Sequence, residues 1–271
     1  MPELPEVETT RSGIEPHISR RRVVEVRVRE SRMRWPVSPE LVLELAGQRV
    51  DSVSRRGKYI LLGTAGGTVI FHLGMSGNLR VVGSDAIPAK HDHVDILFDN
   101  GCILRFNDPR RFGCVLWTTD NPLEHRLLAS LGPEPLSAEF HDRLLYQQSR
   151  GRTLAVKAFI MDSHIVVGVG NIYANEALFR AGIRPLRAAG NISASRYQNL
   201  SRVIREVLEE AITQGGTTLR DFVGSDGRPG YFRQQLAVYG RGGQPCQICG
   251  QSLLEVRLGQ RATVYCRGCQ T

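Results

Sequence analysis

Residues 57–74, GKYILLGTAGGTVIFHLG, set two apolar runs on either side of a glycine turn. Ile60–Leu62 and Val69–Phe71 have the β-branched and aromatic content of strand cores, and Gly66-Gly67 is where the chain reverses. The same punctuation recurs outward. Residues 23–30, VVEVRVRE, alternate, so Val24, Val26 and Val28 should share one face and Glu25, Arg27 and Arg29 the other. Residues 93–106, HVDILFDNGCILRF, read as a hairpin whose Asn100-Gly101 suits a primed turn. Cys102 and Cys114 fall in strand-like apolar runs and are expected to be core thiols. Only two stretches here read as helices. One begins at Pro5, with Glu6 and Glu8 in the first turn to complement the helix dipole; the other is SPELVLELAG, 38–47. The expectation is an antiparallel β-sandwich with a helix pinning its N-terminus.

From Asn121 the period changes. PLEHRLLASLG (122–132), SAEFHDRLLYQQSRG (137–151), TLAVKAFIMD (153–162), NIYANEALFRAGI (171–183) and ASRYQNLSRVIREVLEEAITQGG (194–216) read as helical, with LGPEPLS (131–137) as a linker. A loop rich in Gly, Thr and Asp follows at 217–231, and then a cysteine module. The fold class is α+β, in segments 1–130, 131–216, 217–240 and 241–271.

With 271 residues, 41% of them hydrophobic, the chain is long enough for about two packed domains. No apolar run approaches the roughly 18 residues of a membrane span. Glu3, Glu6 and Glu8 stand where a secretory leader would be apolar, so a cytoplasmic protein with no membrane partner is expected. The net charge of +8 points to a polyanionic partner. Residues 215–271 hold seven Arg against three Asp and Glu, half of that surplus.

Cys246-x-x-Cys249 and Cys266-x-x-Cys269 are two tight pairs separated by sixteen residues. Each turn presents two thiolates and a hairpin brings the pairs together, the arrangement a tetrahedral Zn²⁺ needs. Four protein ligands leave no open coordination position, so one structural zinc is expected, stapling a module too small for its own core. The hairpin between the pairs would carry Arg261 on a rigid turn.

Four further stretches carry chemistry, each with a plain alternative. HIVVGVGNIYANEALF, 164–179, sets glycines before a helix with Asn171 as the expected N-cap; it reads as a phosphate seat or as a packing joint. HLGMSG (72–77) and NDPRRFG (107–113) are loops that expose Met75 and Phe112 beside Arg110 and Arg111. They read as wedges for a base stack or as core side chains. MPELPEVETT, 1–10, becomes a free secondary amine at Pro2 beside the carboxylate of Glu3 once Met1 is trimmed. It reads as an ordinary processed terminus or as a nucleophile with its acid–base partner.

Taken together, PELPEVE, RRGKY, HLGMSG, KHDHVD, NDPRRFG, VVGVGNIYANE, GGTTLRDF, PGYF, VYGR and the cysteine pairs resemble the bacterial formamidopyrimidine-DNA glycosylase family across nearly the whole chain. Leu4 and Arg110 favour that branch over the related endonuclease VIII. The resemblance implies a β-sandwich joined to a helix-two-turn-helix region and a zinc-finger hairpin. It also implies a monomeric glycosylase and abasic-site lyase of base excision repair, active on 8-oxoguanine and formamidopyrimidines in double-stranded DNA. Pro2 would be the Schiff-base nucleophile; Glu3, Lys58 and Arg261 would handle protons, with Lys58 also at the phosphate. Met75, Arg110 and Phe112 would fill the vacated stack. His91, Arg111, Asn171 and Arg261 would hold phosphates, and Lys157 and residues 217–231 would bear on the base. A zinc DNA-binding protein without catalysis, or a proline-based tautomerase, would leave part of this set idle.

Overall fold

The structure is a computed structural model that describes residues 2–215 and 236–271. The chain divides into two compact units, one reaching Ser130 and the other holding Leu131–Thr213 with the described residues from Leu236 onward. Among the described residues, no helix is long and apolar enough to cross a membrane.

The first unit begins with α1 (Leu4–Ile18), followed by β1 (Val23–Val28), the short α2 (Glu40–Glu44), and β2 (Ser52–Arg56) to β8 (Cys114–Thr118). Between them run β3 (Tyr59–Thr64), β4 (Gly67–His72), β5 (Asn78–Gly83), β6 (Asp92–Phe98) and β7 (Cys102–Asn107). They form two antiparallel four-stranded sheets, β1-β6-β7-β5 and β2-β3-β4-β8. Ile60, Leu62, Val69 and Phe71 from the glycine-turn stretch enter the core with Val94, Ile96, Leu104 and Phe106 of the other sheet. α1 packs on β2 and β3 of one sheet and on β5 and β7 of the other. Its Leu4, Val7, Ile14 and Ile18 are buried, each contributing about 1.5–3 kcal/mol to holding the helix there.

Three sequence expectations are corrected here. Val24 is not a core residue: a register shift between Val23 and Glu25 makes a β-bulge, leaving Val24 60% exposed while Val23 and Val26 are buried. The Asn100-Gly101 connection is not a primed two-residue turn. The Gly101 amide donates to Phe98 O at 3.0 Å and only Gly101 takes a left-handed φ of 79°, which makes a three-residue loop. Cys114 is a buried thiol whose pKa burial pushes up to about 12, but Cys102 is only partly buried.

The second unit holds α3 (Leu144–Ser149), α4 (Val156–Ile160), α5 (Asn171–Arg180), α6 (Ala194–Thr213) and the hairpin β9 (Leu254–Leu258) and β10 (Arg261–Tyr265). Residues 122–132 do not form the expected helix: a 3₁₀ turn, Pro122–Glu124, is followed by a turn in which His125 O accepts from the Leu128 and Ala129 amides. The 137–151 helix shrinks to α3, and Phe140 O accepts from the Arg205 guanidinium. α6 presents Tyr197, Leu200, Val203, Ile204, Val207, Leu208 and Ala211 to the core at helical spacing.

Candidate functional site

In the first unit the start of α1 fixes Pro2 and Glu3. Helix formation begins at Leu4, one residue before the sequence expectation, with Glu3 as N-cap in an extended conformation. Glu3 and Glu6 form a reciprocal capping box, in which the Glu3 amide donates to Glu6 Oε2 at 2.8 Å. Glu3 is 2% exposed and Glu6 fully buried, so the carboxylate beside Pro2 has one defined place. Glu8 extends the frame. Arg55 Nε donates to its Oε2 at 2.8 Å, and Arg55 Nη1 donates to Gly57 O at 2.8 Å. Burial pushes the Glu8 carboxyl up, but the Arg55 and Arg11 guanidiniums hold it below the usual carboxylate range. Gly57, with φ 57°, forms the β2–β3 turn with Lys58. Thus α1 and the lysine turn are braced by one guanidinium. Beyond it, burial and then the Lys58 and Arg34 charges lower His72 to about 4, so this imidazole is neutral at pH 7. Its Nδ1 accepts from the Gly74 amide at 3.1 Å.

The two loops at the strand ends lie against each other. A Cβ on Gly74 would stand 2.5 Å from both Gly113 N and Phe112 C, so only glycine allows this approach. Met75 is 38% and Phe112 42% exposed, so neither is a core residue. The Arg110 guanidinium lies 4.9 Å from the Phe112 ring centroid. Arg111 takes a left-handed φ of 56°, and its Nη1 donates to Glu30 Oε2 at 3.2 Å. His91 is half-buried and its carbonyl accepts from the Asp108 amide at 3.0 Å.

In the second unit α5 is the organiser. Gly170, not Asn171, is its N-cap; Asn171 is the first helical residue, and its Oδ1 is buried with no hydrogen-bond partner among the described residues. One turn on, Asn175 donates to Asn171 O at 2.6 Å and accepts from the Val264 amide at 2.9 Å. The adjacent Glu176 carboxylate, 1% exposed, accepts from the amides of Ala237, Val238 and Tyr239 at 2.8, 3.0 and 2.8 Å. Sequence reasoning missed both residues; their one signal was a polar pair on an otherwise buried helix.

Lys157 lies on α4. It is 1% exposed, and its Nζ donates to Ala262 O at 2.8 Å and Thr263 Oγ1 at 2.7 Å. These two bonds tie α4 to β10. Arg261, one residue before that tie, is exposed and opens β10 directly after the turn residues Gly259 and Gln260, with φ of 54° and 63°. The 217–231 loop lies outside the described residues.

The sulfurs of Cys246, Cys249, Cys266 and Cys269 all lie within 4.8 Å of one another, with 3.9 Å between Cys246 and Cys269 and 3.4 Å between Cys249 and Cys266. Four thiolates about 2.3 Å from one tetrahedral Zn²⁺ stand about 3.8 Å apart, so the set fits one structural zinc. Phe179, Val238, Leu253 and Val264 pack with Cys246 and Cys266 in a small core of its own.

The chain matches three family models: the formamidopyrimidine-DNA glycosylase N-terminal domain over residues 1–115, its H2TH domain over 131–223, and the zinc finger found in FPG and IleRS over 243–271. It is 61% identical over 270 residues to formamidopyrimidine-DNA glycosylase of Stutzerimonas stutzeri (strain A1501), covering 100% of both chains. Among solved structures it resembles the MutM (Fpg) protein from Thermus thermophilus, with TM-score 0.89 and 36% identity over 99% of this chain and 98% of that one. It also resembles Lactococcus lactis Fpg in complex with abasic-site DNA, with TM-score 0.91 and 32% identity over 99% of each chain. The wild-type Lactococcus lactis protein with N7-benzyl-Fapy-dG DNA gives TM-score 0.91 and 34% identity, again over 99% of each.

Proposed function

The chain belongs to the formamidopyrimidine-DNA glycosylase family, and from that premise we propose that it excises 8-oxoguanine and formamidopyrimidines from duplex DNA and nicks the abasic strand. The observation that carries this reading is the Pro2–Glu3 pair held at the start of α1 by the capping box. The Pro2 amine attacks the sugar C1′ and displaces the damaged base. Glu3 gives a proton to the ring oxygen as the sugar opens. Lys58, on its braced turn, steadies a phosphate and assists proton transfer. The resulting iminium acidifies C2′, and successive β- and δ-eliminations release the flanking phosphates. The zinc supplies no step; Cys246, Cys249, Cys266 and Cys269 would hold it to fix the hairpin that carries Arg261.

Met75, Arg110 and Phe112 fill the stack vacated when the base leaves, and Arg110 reads the orphaned cytosine. On a duplex with one 8-oxoguanine opposite cytosine, the protein should nick the damaged strand. Met75→Ala and Phe112→Ala should each slow excision roughly tenfold, because part of the unstacking cost of a few kcal/mol goes uncompensated. Both side chains are exposed, so melting and zinc content should not change. Unchanged rates would remove the wedge assignment.

Residues 1–130 act as the catalytic sandwich, 131–216 as the helix-two-turn-helix region, and 241–271 as the zinc finger, with 217–240 as the base-binding connection. The protein works as a monomer on the nucleoid in the cytoplasm. His91, Arg111, Asn171 and Arg261 contact phosphates. With about six phosphates neutralised by cations such as Arg111, Lys58 and Arg261, log K should fall against log[salt] with a slope of about −5. Arg261→Ala should weaken binding to damaged and undamaged duplex alike, since a phosphate contact positions the protein without reading bases. Weakening confined to damaged duplex would assign Arg261 to the lesion instead.

A further inference from the structure

We propose that Asp108 is a positioning residue that locks the Met75 loop and the Arg110–Phe112 loop into one unit, so that the three side chains enter the stack together. Asp108 is fully buried. Its Oδ1 accepts from the Ser76 hydroxyl at 2.9 Å and from the Arg110 amide at 3.3 Å, and its Oδ2 accepts from the Gly113 amide at 2.8 Å. The Arg110 amide also donates to Ser76 Oγ at 3.3 Å. Ser76 follows Met75 directly, and Arg110 and Gly113 bracket Arg111 and Phe112. One carboxylate therefore holds the backbone on both sides of one wedge residue and the neighbour of the other.

The backbone of Asp108 is fixed as firmly as its side chain. Its amide donates to His91 O at 3.0 Å, and its carbonyl accepts from Arg111 N at 3.2 Å and meets His93 Nε2 at 2.8 Å. Pro109 limits the turn that follows. The two carboxylate oxygens accept from the Arg110 and Gly113 amides on opposite sides, and the Ser76 hydroxyl turns to donate to one of them. An asparagine keeps the shape, yet its NH₂ must face either the Arg110 amide or the Gly113 amide, each of which can only donate, and this costs one of the ties.

This inference rests on the wedge reading above, and the test separates the two. Excision from an 8-oxoguanine duplex is compared, variant by variant, with cleavage of a preformed abasic site in a single strand, which has no stack to fill. Asp108→Asn should lower the ratio of duplex excision to single-strand cleavage roughly tenfold, since a misplacement of about 1 Å suffices for losses of that order. Ser76→Ala removes one of the three bonds to the Asp108 carboxylate, together with the Arg110 amide bond to Ser76 Oγ, and should lower the ratio less, in the same direction; it decides the matter if Asp108→Asn does not fold. Met75→Ala added to Asp108→Asn should cost much less than Met75→Ala alone, because the wedge is already displaced. A ratio unchanged in Asp108→Asn and Ser76→Ala, with Met75→Ala and Phe112→Ala still impaired, overturns the clamp and leaves the wedge standing. Full additivity of Met75→Ala with Asp108→Asn also overturns it. Harmless Met75→Ala and Phe112→Ala overturn the wedge and the clamp together.

Discussion

Cys249→Ser should strip the protein of zinc and lower its affinity for duplex DNA by about a hundredfold, while the β-sandwich stays folded. Structural zinc contributes about 10–16 kcal/mol to folding of a small finger, far more than any one apolar contact there. The hairpin's own core is Phe179, Val238, Cys246, Leu253, Val264 and Cys266, two of which are themselves ligands. Losing one thiolate leaves three, and that residual core is too small to hold residues 243–271 in place. Arg261 then loses the turn that presents it. The sandwich core, with Phe71, Phe106 and Ile60 at its centre, contains none of these residues and should melt as in the parent protein. Metal analysis, duplex titration and thermal unfolding together read the outcome. A metal-free variant that still binds DNA normally would show that the finger does not hold the duplex.

The parts of the fold that were legible in the sequence are those written in local pattern. Glycine turns flanked by β-branched runs gave the sandwich strands, because period-two burial and chain reversal are decided within a few residues. The four cysteines were legible for the same reason: metal geometry fixes their spacing. Long-range choices were not legible. Val24 alternates correctly on paper, but a bulge at Val23/Glu25 shifts it out of the core. Residues 122–132 are helical in composition, yet so short a segment is marginal without tertiary support, and only isolated turns form there. Lys157 is assigned to base binding only through the family resemblance, and its place beside β10 was not legible from the residues around it. Its partners lie 105 and 106 residues away, in a strand whose docking on α4 no periodicity announces. Asp108 and Glu176 were missed for a related reason. Each is a carboxylate serving backbone amides, and nothing in a sequence marks which amides will be left without partners.

Removing the Pro2 amine from use should abolish covalent capture of DNA while leaving the zinc and the sandwich intact. A free α-amine titrates near a pKa of about 7.7–8.0, so roughly a tenth is neutral at pH 7, whereas a lysine amine near about 10.4 is almost wholly protonated. A secondary amine also yields an iminium with no N–H to lose, which stays cationic at any pH and draws electrons from C2′. If Met1 remains attached, the same nitrogen is an amide and has no available lone pair. Borohydride added during reaction with an 8-oxoguanine duplex should therefore trap a protein–DNA adduct only in chains that begin at Pro2, and peptide mapping should place it there. Pro2→Gly should keep part of the activity, because a primary α-amine still forms an imine. Glu3→Gln should lose base excision by about a hundredfold or more, the range expected for a positioned general acid. Its amide still fills the N-cap position at Glu3, so α1 should form and melting should change little. That separation of chemistry from folding makes the comparison decisive: an adduct on an internal lysine, or full activity with Met1 in place, assigns the attack to another amine.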